Sequence, residues 1–284
     1  MAKIKSIHQL EKIANDIRMD LIKMLEHAGS GHSAGPLGLA DIFTALYFHL
    51  LEHDPKNPEW QERDLLVLSN GHCVPVRYVA MAHAGYFDKK ELLTLRQFGS
   101  RLQGHPERTK LPGMETTSGP LGSGLSQACG MALAMRMDSV HHRWVYVVMS
   151  DGEQDEGNIW EAALLASKYK LSNLIAITDR NNIQIDGPTE NVMPLGNLRE
   201  KWEAFGWHVI EINGNDIEAV IDACEMAKAI VDKPVMIIAH TVPGKGVSFM
   251  EYDFHWHGAP PNHEQAVKAL KELRTMQGNI QSEH

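Results

Sequence analysis

Two polar positions at the ends of apolar runs are the first candidates for chemistry in this chain. Asp151 follows VYVVMS and opens DGEQDEG, and Asn181 follows LIAITDR thirty residues later and opens NNIQIDG. A carboxylate and an amide oxygen are hard donors, suited to Mg²⁺ or Ca²⁺. Two such side chains make an incomplete shell, which Mg²⁺ usually completes with phosphate oxygens and water. Gly152, lacking a Cβ, would let its N–H approach a phosphate closely. Taken alone, Asp151 could instead cap the following helix and Asn181-Asn182 could form a turn. The paired occurrence after two successive strands favours the metal–diphosphate reading.

Two further groups stand out. In TTSGPLGSGLSQACGMALAMR, Gly119, Gly122 and Gly124 precede a strongly helical run. Exposed N–H groups and a positive helix end could therefore face a ligand there, although the stretch is no GxGxxG fingerprint. Of sixteen histidines, four lie in Gly-containing turns: SGHSAG (His32), SNGHCVP (His72), QGHPER (His105) and WHGAP (His257). A lone His is more often a surface or satisfied core residue. Imidazole nevertheless suits proton transfer, because its ordinary pKa lies near operating pH. His255 and His257 flank Trp256 without further ligand spacing to support zinc.

These residues require a frame that brings strand ends together. From Arg143 onward, apolar strands (WVYVVMS, NLIAITD, WHVIEI, PVMIIAH) alternate with helical patterns (NIWEAALLASKYK, LREKWEAFG, DIEAVIDACEMAKAI). That alternation predicts an α/β fold, a mostly parallel sheet with helices on both faces. Ligands then sit beyond the carboxyl ends of the strands, and right-handed crossovers bring Asp151 and Asn181 together. Upstream, Leu10, Ile13, Ile17, Leu21 and Met24 fit a helix near 7–27, and GSGHSAGPLG reads as a break before another helical pattern. RDLLVLSNGH reads as a short strand, and GYFDKKELLTLRQFG as a helix capped by Asp88.

Composition narrows the function classes. The 284 residues are 43% hydrophobic and 22% charged, with a net charge of -9 and scattered basic residues. This argues against a phosphate-tracking nucleic-acid surface. No apolar run is long enough to span a bilayer, and no signal-peptide core opens the chain. Cys73, Cys129 and Cys224 have no CxxC spacing and fit a reducing cytoplasm.

The Asp-Gly then Asn arrangement resembles the thiamine diphosphate signature, with Ser150 where that signature has its first glycine, and LSNLIAITDRNNIQIDG resembles transketolase. The likeness extends from about Gly29 to Pro260. It implies a thiamine-diphosphate-binding fold and identifies Asp151, Asn181 and the carbonyl of Ile183 as ligands of Mg²⁺ or Ca²⁺. It further implies cofactor contacts from His72, Gly119, Pro120, Leu121, Gly152, Glu156, Ile185 and His257, with Ile185 near the thiazolium. His32 and His105 would handle ketose hydroxyls, and His72 and His257 would face the cofactor phosphates and the substrate channel. All four histidines thus become catalytic candidates. Glu156 and Glu161, on their own readable as a solvated first helical turn, would join a subunit-interface network. The VPGKG loop with Lys245 would lie over the site.

The resemblance covers only the first half of a standard transketolase. The glutamate that activates the aminopyrimidine and the arginines that hold the sugar phosphate belong, in that family, to a pyrimidine-binding domain with no counterpart here. The expectation is a single diphosphate-binding domain over 1–284 with an N-terminal helical extension, lacking the pyrimidine and C-terminal domains. It would act as one subunit of a split transketolase, paired as a heterotetramer with a separate C-terminal subunit, on sugar phosphates of pentose-phosphate type. The runner-up is the thiamine-binding subunit of a 2-oxoacid dehydrogenase, or a deoxyxylulose-phosphate synthase relative. A non-catalytic cofactor-binding module and a dinucleotide-binding enzyme rank below it.

Overall fold

The computed structural model describes residues 3–140 and 142–282. The chain opens with α1 (Ile7–Ala28), α2 (Ala34–Gly38) and α3 (Ala40–Ala45), the last running into a π turn at Leu46–Leu50. Then come β1 (Leu65–Leu68), α4 (Val74–Ala84), α5 (Ser123–Met137), β2 (Val145–Ser150), α6 (Gly157–Lys168) and β3 (Leu174–Arg180). A small hairpin, β4 (Ile183–Gln184) and β5 (Gly187–Pro188), leads to α7 (Thr189–Val192) and α8 (Leu198–Ala204). The chain closes with β6 (His208–Asn213), α9 (Ile217–Lys228), β7 (Val235–His240) and α10 (His263–Ser282).

Five strands form one sheet in the order β1-β2-β3-β7-β6, and every pairing is parallel. Alternate strand residues point to opposite faces, which divides the core in two. Leu66, Tyr146, Val148, Ile175 and Ile237 pack with α1, α3, α4, α9 and α10. Val67, Val147, Met149, Ala176 and Ile238 pack with α5, α6 and α8. The expected α/β sheet with helices on both faces is therefore present. Right-handed crossovers explain the partition: α5, α6 and α8 connect strands progressing one way across the sheet, and α9 lies on the return from β6 to β7.

α1 buries Leu10, Ile17, Leu21 and Met24 at the anticipated spacing. Ser6 caps it by accepting from the Gln9 N–H, and Gly29 ends it at φ 59°. Two expectations fail. The segment after Asp88 is a 3₁₀ stretch, Lys89–Thr94, although Asp88 does cap it by accepting from the Lys90 N–H. Only Leu92 is buried within it, with Leu95 just beyond, and this three-residue spacing fits the tighter helix. The supposed break GSGHSAGPLG contains α2, whose five residues are all buried.

Candidate functional site

β2 and β3 pair with Ser150 opposite Asp179, so Asp151 and Arg180-Asn181 emerge together at the carboxyl edge. Asp151 is fully buried. Its Oδ1 accepts from the Gly152 N–H at 2.7 Å, and its Oδ2 from the Asn182 N–H at 2.7 Å and the Arg180 guanidinium at 3.1 Å. Asn181 donates its amide to Asp179 at 2.8 Å, which turns its Oδ1 toward the Ile183 N–H, 3.0 Å away. Ile183 stands opposite Pro188, while the Thr189 N–H bonds the Asn182 carbonyl. By the alternation of an antiparallel ladder, the Ile183 carbonyl then points away from the partner strand. The three oxygens picked out by resemblance therefore belong to one corner of the fold.

That corner is rich in carboxylates. Asp151, Glu153 and Asp179 are all completely buried. Burial raises the pKa of each; for Asp179 the value reaches about 7, with Thr241 and Asn181 bonds opposing and the Asp151 charge adding to the rise. Arg180 supplies positive charge at this edge, shared between Asp151 and Glu190. Among the described residues no group of three or more His, Cys, Asp or Glu is arranged to hold a metal by itself. An ion here would need oxygens from Asn181, a carbonyl and a ligand.

The head of α5 corrects an expectation. The N–H of Gly122 is not free for a ligand but is donated to Glu153 at 2.7 Å, and that of Gly124 goes to Ser69 at 3.1 Å. Gly122 sits at φ 81° with Asn158 and Glu156 against it, and a Cβ on Gly124 would lie 2.4 Å from Ser69. Gly124 serves close packing of the helix on the end of β1, and Gly122 its packing on the head of α6. The Gly152 N–H is likewise committed, to Asp151.

Above this edge, three imidazoles from distant parts of the chain converge. The ring centroids are 4.9 Å apart for His32–His72, 5.2 Å for His72–His257 and 5.6 Å for His32–His257. With His105 they line a cavity of about 440 Å³, whose floor is Ser150, Gly152 and Ile183 and whose walls include Gly119, Leu121 and Ile185. Burial lowers the pKa of all four, that of His32 to about 4 with the His257, Arg96 and His105 charges adding. They are neutral at pH 7, so each ring offers one donor and one acceptor. His32 Nδ1 and His257 Nδ1 are buried without a hydrogen-bond partner. Ile185 crowns the β4–β5 turn with 62% of its surface exposed, an apolar side chain free to meet a ligand.

Other expected residues lie outside the cavity wall. Asp151 and Asn181 are buried behind Gly152 and Ile183, Pro120 and Glu156 are exposed, and Glu161 faces solvent from α6. Lys245 lines a different cavity, with Arg18, Asp41 and Asn215, rather than covering this one. Sequence reasoning missed Glu153, Arg180 and Gln184. Gln184 lines the cavity and lies across Gly152, with its amide on Asp155 at 3.0 Å.

A fully parallel sheet carrying an acid–amide edge under a histidine-lined cavity invites comparison with known proteins. Residues 9–280 match the family model described as transketolase, thiamine diphosphate binding domain. The chain belongs to this transketolase family. It is 42% identical over 267 residues to an apulose-4-phosphate transketolase subunit from Phocaeicola vulgatus, covering 94% of each chain. Identity is 44% over 264 residues to the 6-deoxy-6-sulfo-D-fructose transketolase subunit SqwG of Clostridium sp., covering 93% of this chain and 96% of that one. A crystal structure of transketolase from Pichia stipitis superimposes with a TM-score of 0.88 at 34% identity, over 96% of this chain. The chain spans only 41% of that enzyme, whereas it matches the two transketolase subunits nearly end to end. Among the described residues no helix is long and apolar enough to cross a membrane.

Proposed function

We propose that this transketolase-family chain is the thiamine diphosphate-binding, N-terminal subunit of a two-chain transketolase. It moves a two-carbon ketol unit from a ketose or ketose phosphate to an aldose or aldose phosphate, together with a separate subunit carrying the pyrimidine-binding domain. The observation that carries this reading is the convergence of His32, His72, His105 and His257 in one cavity that reaches Ser150, Gly152 and Ile183, the neighbours of the buried Asp151 and Asn181. The near end-to-end match to proteins named as transketolase subunits supports the two-chain organisation, and an α2β2 assembly is the arrangement we favour. The working location is the cytoplasm, in keeping with three free, buried cysteines. The substrates are of the pentose-phosphate type.

The residues present fit a divalent ion and a diphosphate. Of three buried carboxyl groups only Asp151 pairs with a guanidinium, which leaves the edge short of positive charge, and the unpartnered histidine nitrogens leave the cavity short of polar partners. Asp151, Asn181 and the Ile183 carbonyl would hold Mg²⁺ or Ca²⁺, with phosphate oxygens completing the shell. Thiamine diphosphate, when bound, supplies the carbon nucleophile and electron sink that no side chain offers. The chain's own residues bind and orient. Neutral His72 and His257 donate to phosphate oxygens, and His32 and His105 hydrogen-bond the donor's hydroxyls and move protons there. Ile185 and Leu121 supply apolar wall, and Gly119 adds backbone without bulk.

Calorimetry of the chain with thiamine diphosphate and Mg²⁺ tests the cofactor role. Assays in the presence of the partner chain, following two-carbon transfer from a ketose phosphate against decarboxylation of a 2-oxoacid, test the reaction. Ketol transfer without 2-oxoacid turnover is expected. The reverse pattern would assign the chain to the 2-oxoacid enzymes, and full activity without a partner would overturn the two-chain reading.

A further inference from the structure

Glu153 borders the histidine cavity but has no place in the cofactor chemistry described above, and it occupies the middle of the site's supporting structure. It lies on the single 3₁₀ turn Gly152–Asp155 that follows β2 and is 0% exposed. Among the described residues no cation pairs with it. Its carboxylate instead receives three neutral donors: the Ser69 hydroxyl and the Gly122 N–H on Oε1, and the Ser150 N–H on Oε2 at 3.1 Å. Ser69 in turn accepts from the Gly124 N–H. One carboxylate therefore ties together the end of β1, the end of β2 and the head of α5. Burying an unpaired carboxylate is expensive, and only its full set of donors offsets the cost. The positive end of α5 helps, since Gly122 is its N-cap.

Resting on the reading of the cavity as the cofactor site, we infer that Glu153 is a positioning residue, holding the Gly119–Leu121 loop in its cofactor-ready place against the ends of β1 and β2. Gly119 and Leu121 line the cavity immediately before Gly122, whose N–H Glu153 holds. With that tie the loop is ordered before the cofactor arrives, so binding does not bear the cost of ordering it. A carboxylate is required because both oxygens must accept. In Glu153→Gln the amide nitrogen would confront one of the three donors, leaving that donor unpaired. Glu153→Ala would remove all three acceptor contacts and release the loop from both strand ends.

The test is calorimetric titration of the full chain with thiamine diphosphate at saturating Mg²⁺, for wild type, E153Q and E153A. Far-UV circular dichroism and a urea unfolding curve accompany each. The expected order of affinity is wild type, then E153Q weaker by roughly tenfold, then E153A weaker by roughly a hundredfold, with native circular dichroism throughout. A lowered unfolding midpoint with unchanged cofactor affinity would make Glu153 merely structural and overturn the inference. If E153A does not fold, Ser69→Ala, which removes one of the three donors to Glu153 and the acceptor of the Gly124 N–H, is expected to weaken binding about threefold to tenfold; an unchanged affinity there has the same overturning force. A wild-type chain that binds no thiamine diphosphate at all overturns the reading of the cavity itself, a result distinct from equal binding by wild type and variants.

Discussion

The histidine cluster makes stability depend on acidity in a way that one substitution can isolate. His32 is held down from 6.5 to about 4, first by burial and then by the charges of His257, Arg96 and His105. In the unfolded chain it titrates near 6.5. Between those values the unfolded state binds a proton that the native state refuses, so stability falls as pH drops from 6.5 toward 4. One pKa unit corresponds to about 1.4 kcal/mol, which puts the total near 3 kcal/mol, somewhat less for a ring that is not fully enclosed. The limiting slope is one proton, about 1.4 kcal/mol per pH unit. Asp179 works in the opposite direction. Its folded pKa is raised to about 7, so the native state binds the extra proton as pH falls. The wild-type curve alone therefore mixes two signs. The difference between wild type and His32→Gln removes the Asp179 contribution, because that group is common to both. Urea unfolding at half-unit steps from pH 7.0 to 4.5 is the assay. The variant is expected to lose stability on acidification less steeply than wild type, by roughly 1 kcal/mol per unit in the middle of the window. Parallel curves would refute the burial argument, since they would mean that His32 protonates in the folded chain as readily as in the unfolded one.

Three further outcomes follow from the geometry. Asp151→Asn, or an excess of EDTA, is expected to weaken thiamine diphosphate binding at least a hundredfold by calorimetry, with the far-UV spectrum unchanged; binding that survives both would remove the cation from the site. Gly122→Ala forces a side chain into φ 81° with its Cβ 1.8 Å from Asn158 Oδ1, and should cost about 2–4 kcal/mol in urea unfolding. Arg18, buried and bonded to Asp41 at 2.5 Å and to the Leu37 carbonyl at 3.1 Å, should cost about 3–5 kcal/mol when changed to Ala, because Asp41 is left without its counter-charge. A loss below about 1 kcal/mol by the same assay would show that Asn215, which also donates to Asp41, suffices.

Much of the frame was readable because the apolar strands are so plainly bounded. VYVVMS and LIAITD are buried at every position, and a parallel sheet then dictates where Asp151 and Asn181 emerge. The convergence of the histidines was not readable from the residues alone, since 225 positions separate His32 from His257 and only the resemblance connected them. Glu153 was invisible for a different reason. In DGEQDEG the acids look like a solvated helix start, yet Asp155 and Glu156 are exposed while Glu153 is sealed. Nothing in local composition distinguishes them; only the approach of Ser69 and Gly122 from elsewhere does. α2 was hidden because Gly35 and Gly38 read as chain breaks. Their missing side chains instead let the helix lie against Cys73 and the Val242 carbonyl, each 2.9 Å from where a Cβ would stand.

The way the backbone donors are spent has a consequence for how an anionic ligand can be held. A helix entry rich in glycine ordinarily offers its N–H groups to a phosphate. Here the Gly122, Gly124 and Gly152 N–H groups are all consumed within the protein, on Glu153, Ser69 and Asp151. Two of those bonds fall on buried carboxyl groups, Asp151 and Glu153, and Asp179 lies buried beside them; the negative charge they carry opposes an incoming diphosphate rather than attracting it. Arg180 offsets one of those charges and is already divided between Asp151 and Glu190. On the proposed reading attraction would come from a cation recruited by the carboxylates, with neutral imidazoles adding directed hydrogen bonds. On the proposed reading a metal would then be no accessory to cofactor binding: its charge would offset that of the carboxylates, which by themselves disfavour a diphosphate.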